Sequence, residues 1–177
     1  MNTVCEEKQQ AASGACEARR VLFVCTGNTC RSPMAAALYN DMARLRGICS
    51  MGENAPQLAG SATSAGLFAA EGDPISPHAA TALQRAGVAA TPQNNYPAHR
   101  ARSVTRELVE EADLVVGLSA SHAMQLMLRF PEAAQKITTL PMDIPDPYGG
   151  SQELYDACLA QLKLCLQLAF AQNEGDV

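Results

Sequence analysis

Apolar and polar positions along this chain fall into two alternating rhythms. Four short apolar runs, Val21–Val24, about Ala59–Ser64, Asp113–Leu118 and Lys136–Leu140, have the length and boundaries of buried strands. Between and after them apolar residues recur at helical spacing. The first such stretch is Pro33–Arg46, with Gly47 as its expected C-terminal cap. The second is Pro77–Ala86, opened by Ser76-Pro77 and ended by Gly87. The third is Val104–Ala112, the fourth about Ser121–Phe130 before Pro131, and the last about Gln152–Ala171. Strands alternating with helices predict βαβ units, a parallel sheet and an α/β fold. In such folds ligands bind beyond the carboxyl ends of the strands.

Composition narrows the picture. A chain of 177 residues with 47% apolar and 18% charged residues is expected to form one globular domain with one substantial core. The net charge of -5 argues against nucleic acid or an anionic membrane as the main partner. No apolar run approaches the ~20 residues that span a bilayer. Residues 1–20 are polar and lack the apolar stretch of a signal peptide, so they read as a mobile extension in which Cys5 and Cys16 are incidental. The domain proper is expected over 21–177. Seven cysteines without a secreted framework point to a reducing cytoplasm. A monomer is the default expectation, the sequence leaving the oligomeric state open.

Chemistry concentrates in VLFVCTGNTCRSPMAAAL, Val21 to Leu38. Its polar loop, Cys25–Ser32, leaves the carboxyl end of the first strand. Ser32-Pro33 is a good helix start, Ser capping and Pro fitting the first turn. The loop then lies at the positive end of a helix dipole, where free N–H groups bind anions. Gly27 and Asn28 tolerate left-handed backbone angles, which lets successive N–H groups turn into a nest. Arg31 adds a planar charged fork that matches two phosphoryl oxygens. The same positive field favours the thiolate of Cys25, and a thiolate at the floor of an oxyanion cradle is arranged to attack phosphorus.

Other chemistries fit less well. Cys25 and Cys30 have half of a zinc-site spacing, but no second Cys or His pair completes it, so no metal is expected. The lysine of a nucleotide-binding G-x4-G-K-[ST] loop is absent, as is G-x-G-x-x-G, and no cofactor is expected.

CTGNTCRSPMA, with DPYGG at Asp146–Gly150, resembles the low-molecular-weight protein tyrosine phosphatase family over about Val21 to Gln172. SATSAGLFA at Ser61–Ala69 and EADLVVGLS at Glu111–Ser119 look like that family's second and third strands. The resemblance implies a three-layer sandwich: a four-stranded parallel sheet flanked by helices, with the phosphate-binding loop after the first strand. It implies a two-step mechanism through a phosphocysteine, acting on a phosphorylated protein. By motif position Cys25 is the nucleophile, Arg31 the phosphate clamp and Asp146 the general acid, later the base. Thr26, Gly27, Asn28, Thr29, Cys30 and Ser32 complete the loop, with Asn28 holding its shape and Ser32 tuning the thiolate. Asp146 between Pro145 and Pro147 has a restricted backbone, and a bound phosphoryl group favours its protonated form. Tyr148 is expected at the pocket mouth.

Substrate choice centres on Thr29. Tyrosine-directed members usually carry Ile there, and TGNT with CRSPMA and DPYGGS looks like the protein arginine phosphatase branch. A Thr hydroxyl can bond a guanidinium where Ile offers only apolar contact. Phosphoarginine is therefore favoured, with phosphotyrosine the alternative. A thioredoxin-coupled arsenate reductase would need a redox pair, but Cys158 and Cys165 read as core cysteines on one helix face. A non-catalytic anion-binding module would need neither a nucleophile nor an acid. Cys30 is a candidate redox partner for Cys25. His78, His99 and His122 read as turn, surface or capping residues, His122 being nearest the ligand end. His99, Arg100, Arg102 and Arg106 read as a solvated basic face.

Overall fold

The computed structural model describes residues 19–49 and 60–170. The N-terminal extension through residue 18, with Cys5 and Cys16, lies outside them. Four parallel strands, β1 (Arg19–Cys25), β2 (Gly60–Gly66), β3 (Leu114–Gly117) and β4 (Ile137–Thr139), form one sheet in the order β2-β1-β3-β4. The helices are α1 (Arg31–Cys49), α2 (Pro77–Arg85), α3 (Arg106–Glu111), α4 (Ala120–Arg129) and α5 (Gln152–Phe170). Two short 3-10 helices, Tyr96–Ala98 and Pro131–Lys136, were not expected from periodicity, since one or two turns leave too little repeat to read.

β1 explains the layering. It is flanked on both sides by strands and covered on both faces, so five of its seven residues are buried. Val21, Phe23 and Cys25 face a core shared with α1, α2 and α5, whereas Leu22 and Val24 face a second core against α3 and α4. Phe23 is fully buried, and removing such a side chain from water contributes about 1.5–3 kcal/mol. On α5 the buried Tyr155, Leu159, Leu162 and Leu166 follow helical spacing, with Cys158 and Cys165 on the same stripe. Those two cysteines are core residues, as the spacing predicted. Burial pushes the Cys158 thiol up to about 12 and raises that of Cys165.

Both ends of α1 differ from expectation. α1 runs through Gly47 to Cys49; a single interior Gly costs only about 1 kcal/mol relative to Ala, too little to end a packed helix. α1 also begins two residues earlier, with Met34 N–H bonded to the Cys30 carbonyl, so Cys30 and not Ser32 stands at the cap. The Ser32 hydroxyl is engaged elsewhere, as shown below.

β2 is a sheet edge, and side chains occupy its free backbone groups. The Asn40 amide bonds both the N–H and the carbonyl of Ala62 at 2.7 and 3.0 Å, and Arg102 Nε donates to the Ser64 carbonyl at 3.0 Å. Because β1 connects to β2 on one side and borders β3 on the other, strand order reverses beside β1. The crevice at its carboxyl end is therefore the expected ligand position. Cys25 is the last residue of β1. Among the described residues no helix is long and apolar enough to cross a membrane.

Candidate active site

The shape of the loop after Cys25 follows from where its carbonyls go. The Cys25 and Thr26 carbonyls accept from the N–H groups of Leu67 and Phe68, both at 2.9 Å. The Thr29 carbonyl accepts from Ser76 N–H at 2.8 Å, and the Asn28 carbonyl from His99 Nε2 at 2.7 Å. The peptide bonds are trans, so a carbonyl directed outward turns the next residue's N–H inward. The N–H groups of Thr26, Gly27, Thr29 and Cys30 are thereby aimed into the loop. Arg31 and Ser32 add the unpaired N–H groups of the first turn of α1. This is an anion nest at a helix N-terminus.

Asn28 holds the turn. It has φ of 58°, in the left-handed region that Asn tolerates better than most residues. Its amide is fully used: Nδ2 donates to Ser32 Oγ and Ser64 Oγ, both at 2.9 Å, and Oδ1 accepts from Arg102 N–H at 3.0 Å. Gly66 lies directly behind, where a Cβ would stand 2.7 Å from the Thr26 carbonyl oxygen.

Cys25 is buried at 2% exposure. Its Sγ accepts from Asn28 N–H at 3.3 Å and lies 3.0 Å from Ser32 Oγ. That hydroxyl already accepts from the Asn28 amide, and its single proton can serve the Ala65 carbonyl at 3.3 Å or the sulfur. A charged sulfur is the stronger acceptor, so forming the thiolate draws the Ser32 proton to it.

The Arg31 side chain is buried and its guanidinium faces the same space. Nη2 donates to Asp146 Oδ2 at 2.7 Å and to Thr26 Oγ1 at 3.3 Å, and Nη1 to the Ile144 carbonyl at 3.2 Å. Nε is buried without a hydrogen-bond partner, a donor available to a phosphoryl oxygen. The Asp146 side chain is 49% exposed, and its Oδ1 accepts from Tyr148 N–H at 3.2 Å. The carboxylate therefore sits at the solvent side of the cradle. The Tyr148 ring is 78% exposed beside it.

Several contributors were misplaced by the sequence reading or absent from it. His122 is not a surface residue: it is buried, with Nε2 3.0 Å from Thr26 Oγ1 and Nδ1 2.8 Å from Ser119 Oγ. Burial, and then the Arg31 charge, push its pKa down. His99 is likewise lowered, chiefly by burial. The expected solvated basic face forms only in part: Arg100 and Arg106 are exposed, whereas His99 and Arg102 turn inward. His99 and Arg102 hold Asn28, Arg100 donates to the His99 carbonyl at 2.8 Å, and Arg106 pairs with Glu132. A run of charges alone cannot reveal that two of its members fold inward. Phe68, an exposed aromatic whose N–H is bonded to Thr26, was also passed over. Cys30 Sγ is buried and lies 3.2 Å from Tyr155 Oη, and both Cys25 and Cys30 are free thiols.

A buried thiol within a ring of inward N–H groups, an arginine fork and a carboxyl at the mouth together define the cysteine-dependent phosphatase class. The chain belongs to the low molecular weight phosphotyrosine protein phosphatase family, whose sequence model matches residues 20–174. It is 39% identical over 151 residues to the protein-arginine-phosphatase of Geobacillus stearothermophilus, covering 81% of this chain and 88% of that one. Among solved structures it superposes on the low molecular weight protein tyrosine phosphatase from T. tengcongensis with a TM-score of 0.74 and 36% identity, covering 88% of this chain and 99% of that one. YwlE arginine phosphatase, solved as a cysteine-to-serine mutant with a phosphorylated active site serine, matches with a TM-score of 0.74 and 33% identity, covering 89% and 97%.

Proposed function

We propose that this protein hydrolyses phosphoarginine in protein substrates through a phosphocysteine at Cys25. In the first step the Cys25 thiolate attacks phosphorus, the P–N bond breaks, and protonated Asp146 gives its proton to the leaving guanidine nitrogen. The phosphoryl dianion takes over the Arg31 fork from Asp146, using Nε as well, while the loop N–H groups bind the charge that develops on its oxygens. In the second step Asp146 accepts a proton from water, the oxygen attacks phosphorus, the P–S bond breaks and inorganic phosphate leaves. Ser32 supports the thiolate in both steps, and Tyr148 borders the substrate side chain. Cys30 is the partner we assign to Cys25 if the loop is oxidised. A thiol nucleophile needs a reducing compartment, so the cytoplasm is its proposed location.

One observation carries the substrate assignment: Thr29 presents a half-buried hydroxyl at the loop, beside Cys30 Sγ at 3.6 Å. A guanidinium has only N–H donors, and that oxygen can accept from one. The test compares kcat/KM on matched phosphoarginine and phosphotyrosine peptides for the native enzyme and Thr29→Ile. Arginine preference that shifts toward tyrosine in the variant is the expected result. Native preference for phosphotyrosine would overturn the substrate, and residual turnover near the native rate in Cys25→Ser would overturn the mechanism.

A further inference from the structure

On the protein side of the loop, residues from three parts of the chain close a ring of hydrogen bonds on Thr29. Ser76 N–H donates to the Thr29 carbonyl at 2.8 Å, and the Ser76 hydroxyl donates to Tyr155 Oη at 3.1 Å. Tyr155 Oη is 3.2 Å from Cys30 Sγ, which is 3.6 Å from Thr29 Oγ1. Tyr155 stands in the first turn of α5 and is 2% exposed. Burial, with the bond to Cys30, pushes its phenol up to about 12, so it remains a neutral hydroxyl.

The protons can be followed around the ring. Ser76 fills one lone pair of Tyr155, whose proton and second lone pair both remain open to the sulfur of Cys30, so either the phenol or the thiol can donate in that bond. The Thr29 hydroxyl has that sulfur as its hydrogen-bonding neighbour among the described residues. The position of that hydroxyl is therefore coupled to where Cys30 Sγ is held, and Tyr155 contacts that sulfur. Whichever of the two supplies the shared proton, the Thr29 oxygen keeps at least one lone pair. A phosphoguanidine offers N–H groups to that lone pair, whereas a phenyl phosphate offers none.

We infer that Tyr155, acting through Cys30 and supported by Ser76, is a positioning residue that sets the Thr29 hydroxyl and with it the choice between phosphoarginine and phosphotyrosine. This rests on the reading of Thr29 as the specificity residue. It adds a control that neither the loop nor the acid contains, because Tyr155 touches no reacting atom. General loosening of the loop would slow both substrates alike. Loss of the ring should instead change their ratio.

The readout is accordingly the ratio of kcat/KM for matched phosphoarginine and phosphotyrosine peptides. Tyr155→Phe should lower it roughly fivefold to tenfold, about the worth of one hydrogen bond. Ser76→Ala, at a half-buried position where folding is not at stake, should lower it in the same direction by less. Cys30→Ser, which keeps an acceptor for Tyr155, should retain more of the ratio than Cys30→Ala. In a Thr29→Ile background Tyr155→Phe should leave the ratio within about twofold, since the hydroxyl it positions is gone. Equal losses on both substrates, or the same ratio change with and without the Thr29 hydroxyl, would overturn the inference. If the native enzyme prefers phosphotyrosine, the proposed substrate fails on that fact alone. The dependence of the Tyr155→Phe effect on Thr29 then still decides for or against the ring.

Discussion

Replacing Asn28 by Ala tests whether the loop is held as its hydrogen bonds suggest. The change removes three bonds from a fully buried side chain, to Ser32 Oγ, Ser64 Oγ and Arg102 N–H. At about 0.5–1.5 kcal/mol each, their loss costs about 1.5–4.5 kcal/mol. A residue with φ of 58° adds a backbone term. Left-handed geometry costs an ordinary L-residue about 1–2 kcal/mol, whereas Gly adopts it freely. Gly gives back about 0.4–1 kcal/mol through its more flexible unfolded chain. Asn28→Gly should therefore be the milder variant by about 0.5–1 kcal/mol, the reverse of the order these residues show in a helix. A total loss near 3 kcal/mol corresponds to about 6–12 °C in Tm for a domain of this size. Turnover should fall in both variants by at least about 100-fold, because a misdirected oxyanion donor costs that much. Denaturant titration of the three proteins, with kcat on one phosphoryl substrate, gives the answer. An Asn28→Ala protein within 1 kcal/mol of native, or one more stable than Asn28→Gly, would refute the reasoning.

Two further outcomes are expected. Asp146→Asn should reduce kcat strongly for a substrate with a basic leaving group and little for an activated aryl phosphate; an equal loss on both would remove Asp146 from proton transfer. His99 and His122 both have pKa values lowered from 6.5. Below about pH 6.5 the unfolded chain then binds more protons than the native one, so stability falls as pH drops through that value and is flat above it. His99→Gln and His122→Gln combined should flatten the slope of unfolding free energy between about pH 7 and 5, and an unchanged slope would assign it to other groups.

What could be read in the sequence and what could not divide by distance along the chain. β1 is a continuous apolar run because it is covered on both faces, so its periodic neighbours and the parallel sheet followed directly. The cradle was legible because its reacting groups lie within eight consecutive residues, Cys25 to Ser32, whose types carry their own chemistry. The residues that make the loop hold its shape are of another kind. Ser64, His99 and Arg102 reach Asn28 across 36, 71 and 74 positions. The contact from Arg102 comes through its backbone N–H, which every residue but Pro possesses, so no side-chain identity could announce it. Its side chain is specific only toward the Ser64 carbonyl. The same holds for the outward carbonyls of Cys25, Thr26 and Thr29, which are bound by the backbone N–H groups of Leu67, Phe68 and Ser76. The motif therefore names the atoms proposed to meet the phosphoryl group, while the inward aim of its N–H groups depends on distant partners, the His99 ring and the N–H groups of Leu67, Phe68 and Ser76. Thr29 belongs to both sets: its hydroxyl is the proposed substrate contact and its carbonyl is pinned by Ser76. A substitution at Ser76 should thus reach substrate choice without altering any residue of the motif.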